Sequence, residues 1–442
     1  MNGKGICSGA LGSRIRESKI QTFPSNIFVG PLSLPQKLDW DGVGSKNPGI
    51  GGTEFQLLSL AEFLAEKSLG SVKVLCNPVP VISGGSGVEF EPFDLLSPLP
   101  PESILISPVS SLVQMPAEFT KNTKLIASSH HPHDHDIPKI VRRHAPLILR
   151  CVGAYSYWSN ARRGVSSVYL PNLFLSQELD LDSASRELAF GHLSSLHPSK
   201  GLIVAIGVWN KARQLGGSTP KSFEVIGGQA IYDAGVWKAS AALMSPGYEK
   251  RVEKLLGEGL DVAGIRLFGI KSNADMAPLV ARWSGAILNP LGTGEADPAS
   301  YKDCLAVGVP VFSLGDYGMW DYARYFPETT ARTLNQLTKK IVRFSMDPEL
   351  RTMLRVRALQ KAAELKFRNS TVLENWSKLL HYIHEGAEIS ATGISAFIPP
   401  RLPVALRFKL VTRRLIFFIA GGESSMNWIR ERISLGVLRR WR

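Results

Sequence analysis

A chain of 442 residues exceeds one ordinary domain and points to two. An apolar fraction of 44% with 20% charged residues excludes a mostly disordered chain, a fibrous repeat and a polytopic membrane protein, and four scattered cysteines (Cys7, Cys76, Cys151, Cys304) without Cys-x-x-Cys spacing exclude a disulfide scaffold and a zinc–thiolate site. Of the net charge of +13, residues 401–442 carry +8, from ten basic residues against two acidic ones.

In chain order, residues 1–26 mix Lys4, Arg14, Arg16, Glu17 and Lys19 without an apolar run, so no secretory signal is expected. Strands are predicted at 27–30, 72–76, 104–108, 124–129 and 153–159. Helices are predicted at 54–67, where Phe55, Leu57, Leu58, Leu60, Ala61 and Leu64 recur at helical spacing, and at 137–151. A polar stretch at 173–185, after Leu170-Pro171-Asn172, reads as a joint. Beyond it, strands are predicted at 187–192, 223–227, 265–269, 285–291 and 309–314. They alternate with helices at 201–215, 248–256, 274–284, 300–307 and 331–344, and helical signal returns at 348–367 and 370–385. Residues 391–403, with Pro399, Pro400 and Pro403, read as a linker. No stretch approaches the ~20 apolar residues needed to span a bilayer.

Strands alternating with helices imply parallel sheets covered on both faces. The expected fold is α/β, with two Rossmann-like doubly wound domains facing a cleft and a basic C-terminal helical extension. The expected divisions are an extension at 1–25, a first domain at 26–178, a second at 179–370, a returning helix at 371–390 and a basic tail at 391–442.

The most informative segment is 285–314. A strand ends at Asn289-Pro290, and the Gly-rich turn Leu291-Gly292-Thr293-Gly294 follows. Then come Glu295-Ala296-Asp297-Pro298, a helix carrying Asp303, and Ala306, Gly308, Pro310 and Val311. A helix starting near Pro298 offers free N–H groups and partial positive charge to a phosphate. Carboxylates at Glu295 and Asp303 suit vicinal hydroxyls. This segment resembles the signature of retaining GT-B glycosyltransferases of the family 4 type, in which two acidic residues flank seven others ahead of an Ala-x-Gly-x-Pro-Val run.

Other segments fit the resemblance in order. Gly51-Gly52-Thr53-Glu54 resembles the family's Gly-Gly-x-Glu turn, and Phe190-Gly191-His192-Leu193 followed by Lys200-Gly201 resembles its Gly-Arg-Leu…Lys-Gly element. The resemblance covers roughly residues 25–385. It implies that Glu295 holds the donor sugar and Asp303 the ribose, and that Gly51, Gly52, His192, Lys200, Gly294, Ala296 and Asp297 lie on the donor. His130 or His131 matches a family histidine at the sugar, and the residues do not choose between them. Three departures stand out: Asp303 where glutamate is usual, Pro298 where glycine is common, and His192 where arginine is expected. Histidine is mostly neutral near pH 7 and lacks the bidentate fork.

Each feature also has a plainer reading. Glu295 and Asp303 can be helix N-terminal acids, Lys200 a surface lysine, and Gly51 and Gly52 a turn. The histidine-rich segment 128–136 can be a metal site or a solvated loop, although it lacks a known ligand spacing. The cysteines read as small core residues.

The implied function is transfer of a sugar from a nucleotide-sugar donor to a glycan or lipid-linked acceptor, with retention and without an obligatory metal or cofactor. The rivals are a non-enzymatic sugar or nucleotide binder on the same fold and a sugar-nucleotide epimerase. The expected setting is cytoplasmic. Residues 401–442 mix arginines with Leu402, Leu406, Leu410, Trp428 and Trp441, which suits an anionic membrane surface. Packing on the body is the alternative reading of that tail, and the body carries no nucleic-acid motif.

Overall fold

The computed structural model describes residues 26–42, 46–48, 50–67, 70–130, 137–144, 147–179, 189–196, 200–216, 221–228, 250, 253–254, 264–291, 295–385, 399, 401–403 and 406–407. The first half holds β1 (Asn26–Leu32), β2 (Lys37–Asp39), β3 (Ser71–Cys76), β4 (Val81–Ser83), β5 (Glu89–Pro92), β6 (Ile104–Pro108), β7 (Lys124–Ser129), β8 (Leu147–Cys151) and β9 (Ser167–Tyr169). Seven of these form one sheet in the order β5-β3-β1-β6-β7-β8-β9, with every neighbouring pair parallel. β2 and β4 make a separate parallel pair.

Strands covered on both faces need apolar side chains in both directions. β6 is accordingly buried at every position. In β1, Ile27 and Val29 enter one core layer while Phe28 enters the opposite one, following the two-residue repeat of a strand. The helices of this half are α1 (Gly52–Glu66), the single turns α2 (Val109–Leu112) and α3 (Ala117–Thr120), α4 (Ile137–Arg143) and α5 (Ala154–Ala161).

The second sheet holds β10 (Ala189–Leu193), β11 (Ser222–Ile226), β12 (Ile265–Gly269), β13 (Trp283–Ile287) and β14 (Val311–Phe312), all parallel, in the order β12-β11-β10-β13-β14. Its helices are α6 (Leu202–Leu215), α7 (Asn273–Ala281), α8 (Ala299–Ala306), α9 (Trp320–Ala323), α10 (Leu334–Met346) and α11 (Pro348–Phe367). Phe190, Phe312 and Phe344 pack together at centroid distances of 5.1–6.0 Å. Caps fix where helices begin: the Thr333 side chain accepts from Gln336 N–H, and Asp347 accepts from Leu350 N–H with Pro348 in the first turn. The last helix, α12 (Asn369–His384), lays Val372, Trp376, Leu379, Leu380 and Ile383 into the core of the first sheet.

The chain winds from β10 through β11 to β12, then returns to β13 on the other side of β10. That reversal opens a crevice at the carboxyl ends of β10 and β13, where ligands of such sheets sit.

Several expected elements differ. The helix expected at 137–151 ends at Arg143, and its second part is strand β8. The strand expected at 153–159 is helix α5. The strand expected at 285–291 runs from Trp283 to Ile287, and that expected at 309–314 contracts to two residues. The extension at 1–25 and most of both the helix expected at 248–256 and the tail lie outside the described residues.

Candidate active site in the cleft

The site builds from the ends of β10 and β13. After β10 the chain reaches Lys200 and then Gly201, whose φ of 77° a side-chain-bearing residue rarely adopts, and this turn starts α6. After β13 the chain reaches Glu295. Lys200 Nζ donates to the Glu295 carboxylate in a close ion pair, with both side chains mostly buried. Two residues 95 positions apart thus meet at the point where the strand order reverses.

Just beyond Glu295 lies a second, sealed pair. Lys302 Nζ donates to Asp297 Oδ2 at 2.8 Å, with side chains 3% and 2% exposed. The Tyr322 hydroxyl donates to the other Asp297 oxygen, and Asn172 N–H donates to Asp297 Oδ2 at 3.1 Å. Lys302 also reaches Asn172 O at 3.2 Å. Asp297 is therefore fully engaged in joining the segment after β9 to α8. Asp303, one position past Lys302, faces the cleft. Burial pushes its carboxyl up to about 6, against the opposing pull of the Ser176 hydroxyl and Lys302.

The opposite wall comes from the first sheet. Gly51 caps α1, and a Cβ there would meet the Glu54 carboxylate at 2.2 Å. A Cβ at Gly52 would meet nothing within 4 Å, so the start of α1 is open toward the cleft. His130 follows β7, and its Nε2 lies 2.9 Å from Ser128 Oγ. Ser128 Oγ accepts from Arg150 Nη1 at 2.8 Å, and Arg150 also donates to Leu170 O and Asn172 Oδ1. Burial lowers the Arg150 guanidinium to about 9, partly offset by Asp297. Asn273 N–H donates to Asn47 O at 2.9 Å, closing the cleft at one lip.

The two halves also meet behind the cleft. Asp321 Oδ2 accepts from Ala154 N–H at 3.0 Å at the start of α5, while Asp321 Oδ1 is buried without a partner. Burial pushes this carboxyl up to about 7 despite the Ala154 bond. Tyr155 and Tyr317 pack edge to face at 4.6 Å, and Leu402 and Leu406 from the start of the tail bury against them. Those two leucines face the body.

Gly51, Gly52, His130, Lys200, Glu295, Asp297 and Asp303 thus line one cleft. Two expected residues do not. His192 is fully buried, with Nδ1 2.7 Å from Ile287 O and Nε2 2.7 Å from Ser194 Oγ, so its ring is sealed behind Ser194. Ala296 is buried, with its carbonyl packed where a Cβ on Gly153 or Gly318 would sit. Gly294 and His131 lie outside the described residues, as does the rest of the histidine-rich segment to 136. Among the described residues no group of three or more His, Cys, Asp or Glu side chains could hold a metal ion. Cys76, Cys151 and Cys304 are buried and unbridged. The sequence offered no signal for Lys302, Arg150, Tyr322 or Asp321; Arg150, Tyr322 and Asp321 have partners at least 20 positions away, and Lys302 pairs with nearby Asp297 only as part of a cluster that includes distant Asn172.

No protein-family model matches the sequence, and no curated protein sequence matches it. Solved structures do match. TarM of S. aureus superposes with a TM-score of 0.50 at 14% identity, over 63% of this chain and 55% of TarM. The chain thus spans about half the length of TarM. Alr3699/HepE of Anabaena, solved in complex with UDP, superposes with a TM-score of 0.55 at 14% identity, over 80% of this chain and 100% of HepE. AviGT4, a glycosyltransferase involved in avilamycin A biosynthesis, gives 0.51 at 14% identity, over 82% of this chain and 99% of AviGT4. With two parallel sheets facing a cleft, the chain has the GT-B fold.

Proposed function

We propose that the protein is a glycosyltransferase of the retaining, family 4-like type, moving a hexose-type sugar from a nucleotide donor to a glycan or lipid-linked acceptor. The observation that carries this reading is the meeting of Lys200 and Glu295 at the switch point of the second sheet, opposite Gly51, Gly52 and His130. HepE, solved in complex with UDP, and AviGT4, a glycosyltransferase, support the same chemistry on the same fold.

In this reading the donor separates the ion pair. Lys200 turns to the diphosphate and Glu295 to the sugar hydroxyls, so each charge keeps a partner and neither is left buried alone. Asp303 accepts from the ribose. The bond from the anomeric carbon to the diphosphate oxygen breaks, and its electron pair stays on the diphosphate. An acceptor hydroxyl oxygen bonds to that carbon, and its proton passes to the departing diphosphate. Lys200 and the amides at the starts of α1 and α8 stabilise the growing negative charge without a metal or cofactor. His130, braced by Ser128, lies at the acceptor-side wall. The arginine-rich tail beyond residue 407 would hold the protein on an anionic cytoplasmic membrane face, near a lipid-linked acceptor.

The test is calorimetric titration of UDP, GDP and ADP into the wild type and a Glu295→Gln, Asp303→Asn double variant, followed by transfer assays with sugar conjugates of the nucleotide that binds. One nucleotide binding the wild type and weakened in the variant, with transfer lost in Glu295→Gln, is the expected result. Binding without transfer to any acceptor favours the binder, and sugar interconversion without an acceptor favours the epimerase. A folded wild type that binds no nucleotide sinks the assignment.

A further inference from the structure

His192 occupies the position at which the resembling family carries a phosphate-binding arginine, yet it is sealed inside the second domain. The hydrogen bonds around it fix where protons sit. Ile287 O can only accept, so the 2.7 Å contact requires the proton on His192 Nδ1. Burial holds the imidazole well below its ordinary value, at about 4, with Lys200 acting in the same direction. The ring is therefore neutral at pH 7 and Nε2 carries a lone pair. Ser194 Oγ, 2.7 Å from Nε2, is the donor in that contact. Among the described residues its only other close acceptor is Ser195 O at 2.9 Å, which would take the same single proton.

Ser194 lines the cleft. Its hydroxyl proton is committed inward, so what it can offer a ligand is lone pairs. Turning the proton outward would leave His192 Nε2 buried without a donor, the costly state for a polar atom. The backbone also holds the residue in place. Ser194 N–H donates to Ile226 O at 3.1 Å, and Gly227, at φ 139°, packs so closely that a Cβ would overlap Ser194 O.

The surroundings identify the ligand group. Lys200 and Glu295 meet beyond β10 and β13, whereas Ser194 N–H bonds Ile226 at the end of β11, and the cleft lining there carries the apolar Leu193, Ile226, Ile270 and Met276 together with Lys271 and Asn273. Such a wall suits a flat ring, and an acceptor within it fixes orientation.

We propose that Ser194 is a specificity-determining residue that accepts a hydrogen bond from an O–H or N–H of the donor's nucleoside, and that His192 is the positioning residue that makes its hydroxyl an acceptor. The place that an arginine would use to grip phosphate thus reads the nucleoside instead, and the diphosphate is left to Lys200 and helix-start amides. This inference rests on the nucleotide-sugar reading of the cleft.

The experiment measures three probes by competition titration: the nucleoside diphosphate that binds (UDP, GDP or ADP), its free nucleoside, and inorganic pyrophosphate. Ser194→Ala, a half-buried change that leaves the core intact, is expected to weaken the diphosphate and the nucleoside by about tenfold, the loss of one hydrogen bond. Pyrophosphate is expected to stay within twofold, and Ser194→Thr to restore wild-type binding. His192→Phe frees the Ser194 proton, so the ratio of pyrophosphate to nucleoside affinity is expected to rise, a shift that general loosening of the site would not produce. Should His192→Phe fail to fold, the Ser194 variants decide alone. Nucleoside binding unchanged in Ser194→Ala, or pyrophosphate weakened as much as nucleoside, overturns the proposal while nucleotide binding by the wild type leaves the transferase reading standing. No nucleotide binding by the wild type removes both.

Discussion

In the proposed donor site Asp303 must be ionised to accept from a ribose, and burial has moved its carboxyl up to about 6, into the range where mild acid discharges it. Below that value the cleft loses an acceptor. Donor affinity is therefore expected to fall about tenfold between pH 7.5 and pH 5 in the wild type. The fall should be absent in Asp303→Asn, whose affinity is already low. An equal pH slope in both proteins would remove Asp303 from the site. At this scale the cleft positions of Glu295, Lys200 and Asp303 were legible, because each falls in a segment that resembles a family motif. Arg150 and Lys302 were not, since a lone arginine in a strand and a lone lysine in a helix look the same whether solvated or buried. His192 was legible as a departure but not as a sealed ring, because Ile287 O and Ser194 Oγ become its partners only through the sheet.

Between elements, the sealed Lys302–Asp297 pair, with its bonds to Asn172, stitches α8 to the segment after β9. Lys302→Met would leave the Asp297 carboxylate buried without its cation, at an expected loss of about 3–5 kcal/mol in denaturant unfolding. Adding Asp297→Asn should recover part of that loss, which a purely steric defect would not allow. At the start of α5, Asp321 has the opposite sign. Its folded value near 7 exceeds the ordinary 3.8, so the native state holds a proton that the unfolded chain has released between those values. Stability from this group is present below pH 4 and is lost as pH rises through 7. Asp321→Asn should thus be more stable than wild type at pH 8, by a few degrees in Tm, with the advantage shrinking toward pH 4. The same contact explains why α5 was misread as a strand. Tyr155, Tyr157 and Trp158 favour strands locally, whereas the helix start is capped by a carboxylate 167 positions away. The apolar run of β8 was absorbed into the preceding helix because short apolar runs carry no period of their own.

For the whole molecule, alternating strands and helices made the two-sheet architecture legible, and the solved structures bear out the GT-B fold. The first leucines of the tail were grouped with its membrane-seeking residues, yet Leu402 and Leu406 sit between the halves against Tyr155 and Tyr317. A chain truncated to 1–390 is expected to lose stability by about 2–4 kcal/mol from those two side chains. The truncated chain is also expected to lose pelleting with anionic liposomes if the remaining tail binds membrane. Lost pelleting with unchanged stability would separate the two roles of the tail.

The last helix carries a consequence for how the chain is made. α12 supplies Val372, Trp376, Leu379, Leu380 and Ile383 to the core under β1, a strand that emerges from the ribosome roughly 340 residues earlier. At ~5–20 residues per second, the nascent first half waits on the order of tens of seconds with the part of that sheet face not packed by α1 uncovered. During synthesis the amino-terminal half is thus the first to emerge and among the last to be sealed, and a chaperone that shields apolar sheet faces would find its target there.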